Sequence, residues 1–262
     1  MTIPREMVEE AIKRVELSYR EKKPIEPFSG LLEAMTQEEA YQIQYGLVER
    51  LRNQGQKVIG HKVALTSRAA RLQLGIGEPA FGHLMNPGIY LNGSTIPFER
   101  FLNPFVEAEV AFLLKHDLQG PNVTPLSVLK ATEGVFPAIE VVNLILQGPR
   151  LKANDLIAYN ALNAGVVLGS QLTPVQAVDL RYEGVALELD GELVGSGAGA
   201  EVMGNPVHSV VWLANKLAEF NDFLRAGEII ISGSITSALK VNKGNHVKIT
   251  FTRLGSVGAK FL

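Results

Sequence analysis

The stretch Asn103-Pro-Phe-Val-Glu-Ala-Glu-Val-Ala-Phe-Leu-Leu114 constrains the fold of this chain more than any other. Phe105, Val106, Ala108, Val110, Ala111, Phe112, Leu113 and Leu114 are apolar, with aromatic and β-branched residues well represented, so the stretch reads as a buried strand. Within it Glu107 and Glu109 are spaced i, i+2. Strand side chains alternate with period two, which puts both carboxylates on one face, roughly 7 Å apart. Two like charges on an apolar face repel each other and are costly to desolvate unless a cation neutralises them. An edge strand with a solvated face is the alternative for the pair alone. A third acid favours the cation: Glu140 stands at the centre of a second apolar run, Phe136-Pro-Ala-Ile-Glu-Val-Val142. With no cysteine, no HExxH and no paired-histidine spacing, three such carboxylates suit a hard, oxygen-liking Mg²⁺ or Mn²⁺ rather than zinc.

A chain of 262 residues can bury a substantial core, in one large domain or a domain with a small appendage. A net charge of −2 gives no ground for a nucleic-acid or anionic-membrane partner. The absence of cysteine removes disulfides and a thiol nucleophile. Met1–Glu10 has no apolar signal core, and no run reaches the ~18 apolar residues of a membrane span. A soluble, cytoplasmic protein is expected.

Residues 4–54 read as helical. Val8, Ile12, Val15, Leu17 and Tyr19 form an imperfect apolar stripe, broken at Lys22-Lys-Pro-Ile-Glu-Pro27. Thr36-Gln-Glu-Glu39 is a capping box that opens a second helix, ended by Gly55. From Val58 the texture changes to short strands. Val58–Leu65 is a strand carrying Lys62, followed by a short helix around Ser67–Leu74; Asn86-Pro-Gly and Asn92-Gly93 are turns. A helix is expected over 123–134, with Thr124 as N-cap and Pro125 at the first position. Strands follow at Ala161–Leu168, Val185–Leu189 and Glu192–Val194, the last two joined by Asp190-Gly191. An amphipathic helix begins at Asn205-Pro206, and Glu228–Ser232, Leu239–Val241 and Val247–Phe251 complete the strands. Many short strands with few intervening helices predict an α+β or mostly β domain, not a βαβ repeat.

Gly195-Ser-Gly-Ala-Gly-Ala-Glu201 is glycine-rich but is neither GxGxxG after a strand nor a Walker loop, so a hairpin exit or flexible loop is expected there. Ser67, Ser232 and Ser234 lack a GxSxG context. Of the five histidines, only His61 and His83 flank anything of interest. Lys62, in an apolar run, either snorkels out of the sheet or supplies positive charge to a buried anion; three nearby carboxylates and a metal favour the second.

Taken jointly, Gly60-His-Lys-Val-Ala-Leu-Thr-Ser67, Glu78-Pro-Ala-Phe-Gly82, Glu107-Ala-Glu109, Pro137-Ala-Ile-Glu140, Ala198–Pro206, Trp212–Leu217 and Gly255-Ser-Val257 resemble a known family. This is the 2-oxopent-4-enoate hydratases and 4-oxalocrotonate decarboxylases of aromatic meta-cleavage catabolism, within the fumarylacetoacetase superfamily. The resemblance implies a mixed β-roll catalytic domain over 57–262, a helical N-terminal region over 1–56, and Mg²⁺ or Mn²⁺ held by Glu107, Glu109 and Glu140. It implies Lys62 as the catalytic residue, with Ser67, Asn160 and Thr236 as substrate-binding residues for a small 2-oxo (di)carboxylic acid. It also implies a homo-oligomer, with a sister hydratase or decarboxylase as a candidate partner. Two positions depart from the pattern. Tyr159 stands where the family usually has an acid, which keeps a non-catalytic, ligand-binding homologue among the readings. Ala80 stands where hydratases of this kind carry Asp and decarboxylases an apolar residue. Ile235-Thr-Ser-Ala238 resembles the decarboxylases, whereas Asn163-Ala-Gly165 and Trp212–Leu217 look like hydratases of dicarboxylates. Decarboxylation of 2-oxo-3-hexenedioate is the expected reaction and hydration of 2-hydroxypenta-2,4-dienoate the alternative. A fumarylpyruvate-type hydrolase would need a His–Glu pair to activate water.

Overall fold

The computed structural model describes residues 4–28, 35–148 and 151–262, without the side chain of Tyr19; residues 1–3, 29–34 and 149–150 of the expected regions lie outside it. Two helices lead: α1 (Arg5–Glu21) and α2 (Gln37–Asn53). The latter opens on the expected capping box, in which Thr36 and Glu39 satisfy each other's backbone N–H groups. The rest of the described chain builds two sheets. In the larger, β2 (Ala80–Met85), β1 (Val58–Ala64), β10 (Ile229–Ile231), β5 (Pro104–Leu114), β6 (Thr132–Asn143), β7 (Asn163–Leu168) and β3 (Ile89–Leu91) lie in that order, and β11 (Leu239–Lys240) pairs with β5. The smaller runs β4 (Ser94–Ile96), β13 (Gly255–Phe261), β12 (His246–Phe251), β8 (Gly184–Leu189), β9 (Glu192–Ala198). Both are mixed: β1–β10, β3–β7 and β13–β4 are parallel and the other pairs antiparallel. This is an α+β fold with a curled mixed sheet at its centre. No helix among the described residues is long and apolar enough to cross a membrane.

Alternation along the strands divides the large sheet into two chemical faces. Val106, Ala108, Val110 and Phe112 of β5, with Val135, Ile139 and Val141 of β6, join Leu187, Val247, Ile249, Val257 and Phe261 of the small sheet in one core. Glu107, Glu109 and Glu140 occupy the other face, beside Ala111, Phe136, Ala138 and Ile231. The helical region shares the first core through Ile12, Tyr41, Ile43 and Leu47. The side-chain amide of Gln44 on α2, itself fully buried, donates to the carbonyls of Phe81 (2.9 Å) and Ile157 (2.8 Å). It ties α2 to β2 and to α5 (Ala153–Ala158).

Several elements differ from the sequence expectation. The short helix α3 is confirmed as Arg68–Leu74, but α4 stops at Ala131, because β-branched Thr132 already has extended backbone and begins β6. Residues 160–162 are a tight left-handed turn, so β7 starts at Asn163. The glycine-rich Gly195–Ala198 continues β9 instead of forming a loop, because Gly197 lets the strand run against Ile235, whose carbonyl lies 2.5 Å from where a Cβ would sit. The expected turn at Asn92-Gly93 is present and passes the chain between sheets, since β3 pairs with β7 and β4 with β13. Strands β2 and β13 and helix α5 were not expected; β13 alternates glycines and small residues, which weakens the apolar period. The amphipathic helix is α6 (Pro206–Ala218), capped by Asn205 as its sequence predicts.

Gln44→Leu tests the link between the helical region and the sheet. It keeps side-chain volume but removes the donor from two carbonyls. A loss of about 1–3 kcal/mol in urea-unfolding free energy is expected; unchanged stability would mean that these carbonyls find other partners.

Candidate active site

Strand register assembles the site. Glu107 of β5 lies directly opposite Glu140 of β6. Lys62 of β1 is opposite Ile231 of β10, which is opposite Ala111 of β5, two residues beyond Glu109. Lys62 therefore faces the same side as all three carboxylates. A bulge between Val141 and Val142 shifts the β6–β7 register by one residue and turns Asn163 onto this face as well. A carboxylate oxygen from each of Glu107, Glu109 and Glu140 lies within 4.8 Å of the others. Lys62 Nζ sits 2.7 Å from Glu140 Oε1, and Asn163 Nδ2 donates to the same oxygen at 2.8 Å. The backbone N–H of Gly233 donates to Glu109 Oε2 at 2.7 Å. Gly233 has φ +110°, and a Cβ there would lie 2.4 Å from Thr66 Cγ2, so only glycine delivers that N–H.

Burial sets the charge state. Lys62 is 3 % exposed, and Glu109 and Glu140 are fully buried. Burial, then the neighbouring Glu140, pushes the Glu107 carboxyl up to about 7. The same two causes hold Glu109 well above the usual range, despite Lys62 and the Gly233 N–H. Burial pulls the Lys62 ammonium down, but Glu140, Glu107 and Glu109 together outweigh it, and the group stays charged. One lysine cannot balance three carboxylates. Glu109 Oε1 and Glu140 Oε2 are buried without a hydrogen-bond partner. All-oxygen donors, excess negative charge and orphaned oxygens turned together fit a divalent Mg²⁺-like ion.

Lys62 and Glu107 open onto a cavity of about 660 Å³, well within the range of small-molecule sites. Its walls carry hydroxyls from Thr66, Ser67, Ser196, Ser234, Thr236 and Ser237, and one further acid, Glu201. Ser67 caps α3, its Oγ accepting from the Ala70 N–H, and lines this cavity too. Thr236 lines it with its Oγ1 unpartnered. Asn160 is placed differently. Its Oδ1 accepts from the His83 N–H (2.7 Å) and its Nδ2 donates to the His83 carbonyl (2.9 Å), pinning the 160–162 turn to β2. Gly82 admits that turn, because a Cβ there would lie 2.6 Å from the Asn160 carbonyl. The turn in turn presents the Ala161 carbonyl to Lys62 Nζ at 3.2 Å. Asn160 thus holds the lysine's surroundings from behind. Tyr159 is buried, stacks on Phe28, and lines a separate cavity with Asn160. It is not part of the lining of the Lys62 cavity. Ala80 is 1 % exposed and pairs with cavity-lining Ala64. A His–Glu pair does exist, with His61 Nδ1 3.5 Å from Glu228 Oε2, but it lines a different cavity. Sequence reasoning missed Asn163, Gly233, the Ala161 carbonyl and Glu201. Asn163 needs the bulge, the two backbone groups leave no side-chain signal, and Glu201 read as part of a glycine-rich loop.

The chain matches the fumarylacetoacetate (FAA) hydrolase C-terminal model over residues 57–262. It is 35% identical to the 2-oxo-hept-4-ene-1,7-dioate hydratase of Escherichia coli, over 95% of this chain and 96% of that protein. It is 33% identical to the 4-oxalocrotonate decarboxylase of Pseudomonas putida, over 100% of this chain and 99% of the relative. The structure of the 4-oxalocrotonate decarboxylase from Pseudomonas putida G7, complexed with magnesium and adipate, superimposes with a TM-score of 0.96 at 32% identity, covering 100% of this chain and 99% of that one.

Linkage makes the metal-free site pH-sensitive. Glu107 has a folded value of about 7 against an ordinary 4.5, so its contribution is fully present below 4.5 and is lost as pH rises through about 7. Without metal, the melting temperature should fall across that window; added Mg²⁺ should restore it most at the alkaline end, where the ligands are ionised. Glu109→Gln should flatten both responses. A melting temperature indifferent to pH and to Mg²⁺ in the wild type would remove the metal site.

Proposed function

The chain belongs to the fumarylacetoacetate (FAA) hydrolase C-terminal family, and from that membership we propose that it decarboxylates 2-oxo-3-hexenedioate (4-oxalocrotonate) to 2-hydroxypenta-2,4-dienoate. That it is an enzyme of the lyase type follows from relatives named 4-oxalocrotonate decarboxylase and 2-keto-4-pentenoate hydratase. The observation that carries the choice is on β2: its positions on the Lys62 face are Ala80, Gly82 and Leu84, none of which can move a proton. Hydration needs a positioned acid/base group for water and for the carbon that gains a proton, whereas decarboxylation needs an electron sink and room for the departing carboxylate.

Glu107, Glu109 and Glu140 would hold Mg²⁺ or Mn²⁺. When bound, the ion supplies Lewis-acid charge to the carboxylate and 2-oxo group of the substrate. Lys62, held charged by its carboxylate neighbours, faces the 2-oxygen as the bond to the distal carboxylate breaks. The electron pair of that bond moves into the conjugated chain, CO₂ leaves, Lys62 stabilises the negative charge that collects at the oxygen, and a proton from solvent then completes the 2-hydroxyl. Ser67 and Thr236 donate hydroxyls to the substrate's polar ends, while Ser234 gives its proton to the Thr236 carbonyl at 2.6 Å and holds that segment in place. Asn160 and Asn163 position Lys62 and Glu140 respectively.

Glu201 favours a second reading, hydration, because it is a carboxyl in the wall of the same cavity. The two readings separate cleanly. Purified protein with Mg²⁺ should release CO₂ from 2-oxo-3-hexenedioate and deplete 2-hydroxypenta-2,4-dienoate absorbance only slowly. Glu201→Gln should leave CO₂ release unchanged or faster, since it removes a negative charge near the departing carboxylate. Rapid hydration that falls about 10²–10⁴-fold in Glu201→Gln would establish the hydratase instead. Lys62→Met keeps the stem and removes the charge; a loss in kcat larger than any rise in KM is expected, and unchanged kinetics would return Lys62 to a purely structural part.

A further inference from the structure

Successive residues of a strand face opposite sides of the sheet, so Lys62 and its neighbour His61 belong to different cavities. His61 lies directly across from His83 on β2, with ring centroids 4.9 Å apart. Both rings are buried, at 1 % and 2 % exposure. Neither His61 Nε2 nor His83 Nδ1 has a hydrogen-bond partner, and His61 Nδ1 has only Glu228 Oε2 near it, at 3.5 Å. Buried imidazole nitrogens left this way are uncommon in a native core, where such atoms are paired. They line a cavity of about 800 Å³ with Asp222 and Glu228. One ligand atom each from His61, His83 and Asp222 lies within 4.8 Å of the others. Asp222 is held in place: its Oδ1 accepts from Arg225 Nη2 at 2.8 Å and from the Phe223 N–H at 2.9 Å. Such bonds orient a carboxylate for metal binding. Arg52, Lys57 and Glu49 complete the cavity's charged lining.

We propose that His61, His83 and Asp222 form a second metal site, of the nitrogen/oxygen type taken by Zn²⁺ or a similar borderline transition ion, separate from the all-carboxylate site around Lys62. Two imidazoles and a carboxylate are an ordinary zinc set, whereas Mg²⁺ prefers oxygen donors alone. Burial, and then neighbouring His61, push the His83 imidazole well below its ordinary value, so it is neutral and able to ligate. An ion here ties β1 and β2 to the segment between α6 and β10. It also sits behind Lys62, since the His83 backbone holds Asn160, whose turn presents the Ala161 carbonyl to that lysine.

The test is titration of chelator-treated protein with Zn²⁺ and with Co²⁺, with Mg²⁺ saturating throughout to occupy the carboxylate site. One Zn²⁺ per chain should bind, the melting temperature should rise, and Co²⁺ should give the visible absorption of a four-coordinate site. His83→Gln and Asp222→Asn should each weaken Zn²⁺ binding by at least about tenfold, while Glu107→Gln leaves it unchanged. Should His83→Gln fail to fold, Asp222→Asn on the surface segment decides, together with imidazole ¹⁵N shifts of the wild type on adding Zn²⁺. Shifts confined to His116, His208 or His246, Zn²⁺ binding that survives both substitutions, or no Zn²⁺ bound beside Mg²⁺ would each overturn the site.

Discussion

Three carboxylates and one ammonium, all turned to one face of an apolar sheet, are the constraint on which this structure depends. Lys62 and Glu140 approach to 2.7 Å with both side chains buried. A buried ion pair by itself contributes little, because desolvating both partners costs about what their attraction returns. Here the balance is worse, since Glu107 and Glu109 add negative charge that Lys62 cannot offset, and burial answers by driving their carboxyls toward the neutral form. Such a group is tolerable in two states: protonated without metal, or ionised around a divalent cation. The fold is arranged so that the second state is available at neutral pH.

What holds the group in place is mostly backbone. The long antiparallel β5–β6 ladder fixes Glu107 against Glu140, and a one-residue bulge re-aims Asn163. Gly233 supplies an N–H from a conformation closed to other residues. Three consecutive left-handed residues, Asn160, Ala161 and Leu162, are each disfavoured for a side chain with a Cβ. The Asn160 amide offsets that strain by bonding both polar groups of the His83 backbone. Strain concentrated beside the buried Lys62, and offset from the far side of the sheet, is what a preorganised site requires.

The carboxylates were legible in the sequence because strand period and burial together leave three acids no bland explanation, and Lys62 followed from the same logic. The positioning groups were not. A bulge, a backbone N–H and a carbonyl have no residue signature, and the 160–162 turn read as strand because Ala161-Leu162 is apolar. Two motifs turned out to meet each other. Glu78 accepts from Lys216 Nζ at 2.8 Å and from Trp212 Nε1 at 3.4 Å, so Glu78–Gly82 and Trp212–Leu217 form a clamp between β2 and α6 rather than part of the cavity. Strand β13, with its glycines, lacked the alternation that exposes a strand to sequence reading.

The walls of the Lys62 cavity explain how hydratases and decarboxylases can share this scaffold. In the proposed reaction the carboxylate triad and the lysine would act on the 2-oxo acid end, which both candidate substrates share. The distal end alone differs, and the cavity presents hydroxyls and Glu201, with Lys62 the one cationic side chain among its described lining residues. A distal carboxylate seated among hydroxyls is solvated but not neutralised, so it is held less firmly than it would be by an arginine. For a reaction that expels that carboxylate as neutral CO₂, weak neutralisation is an advantage: a strong cation would stabilise the ground state more than the transition state, in which the charge has already moved toward the 2-oxygen. The same wall would be indifferent to a monocarboxylic dienoate. On this reading, discrimination between the two chemistries would lie in whether a wall residue can move a proton, and not in the three carboxylates common to both.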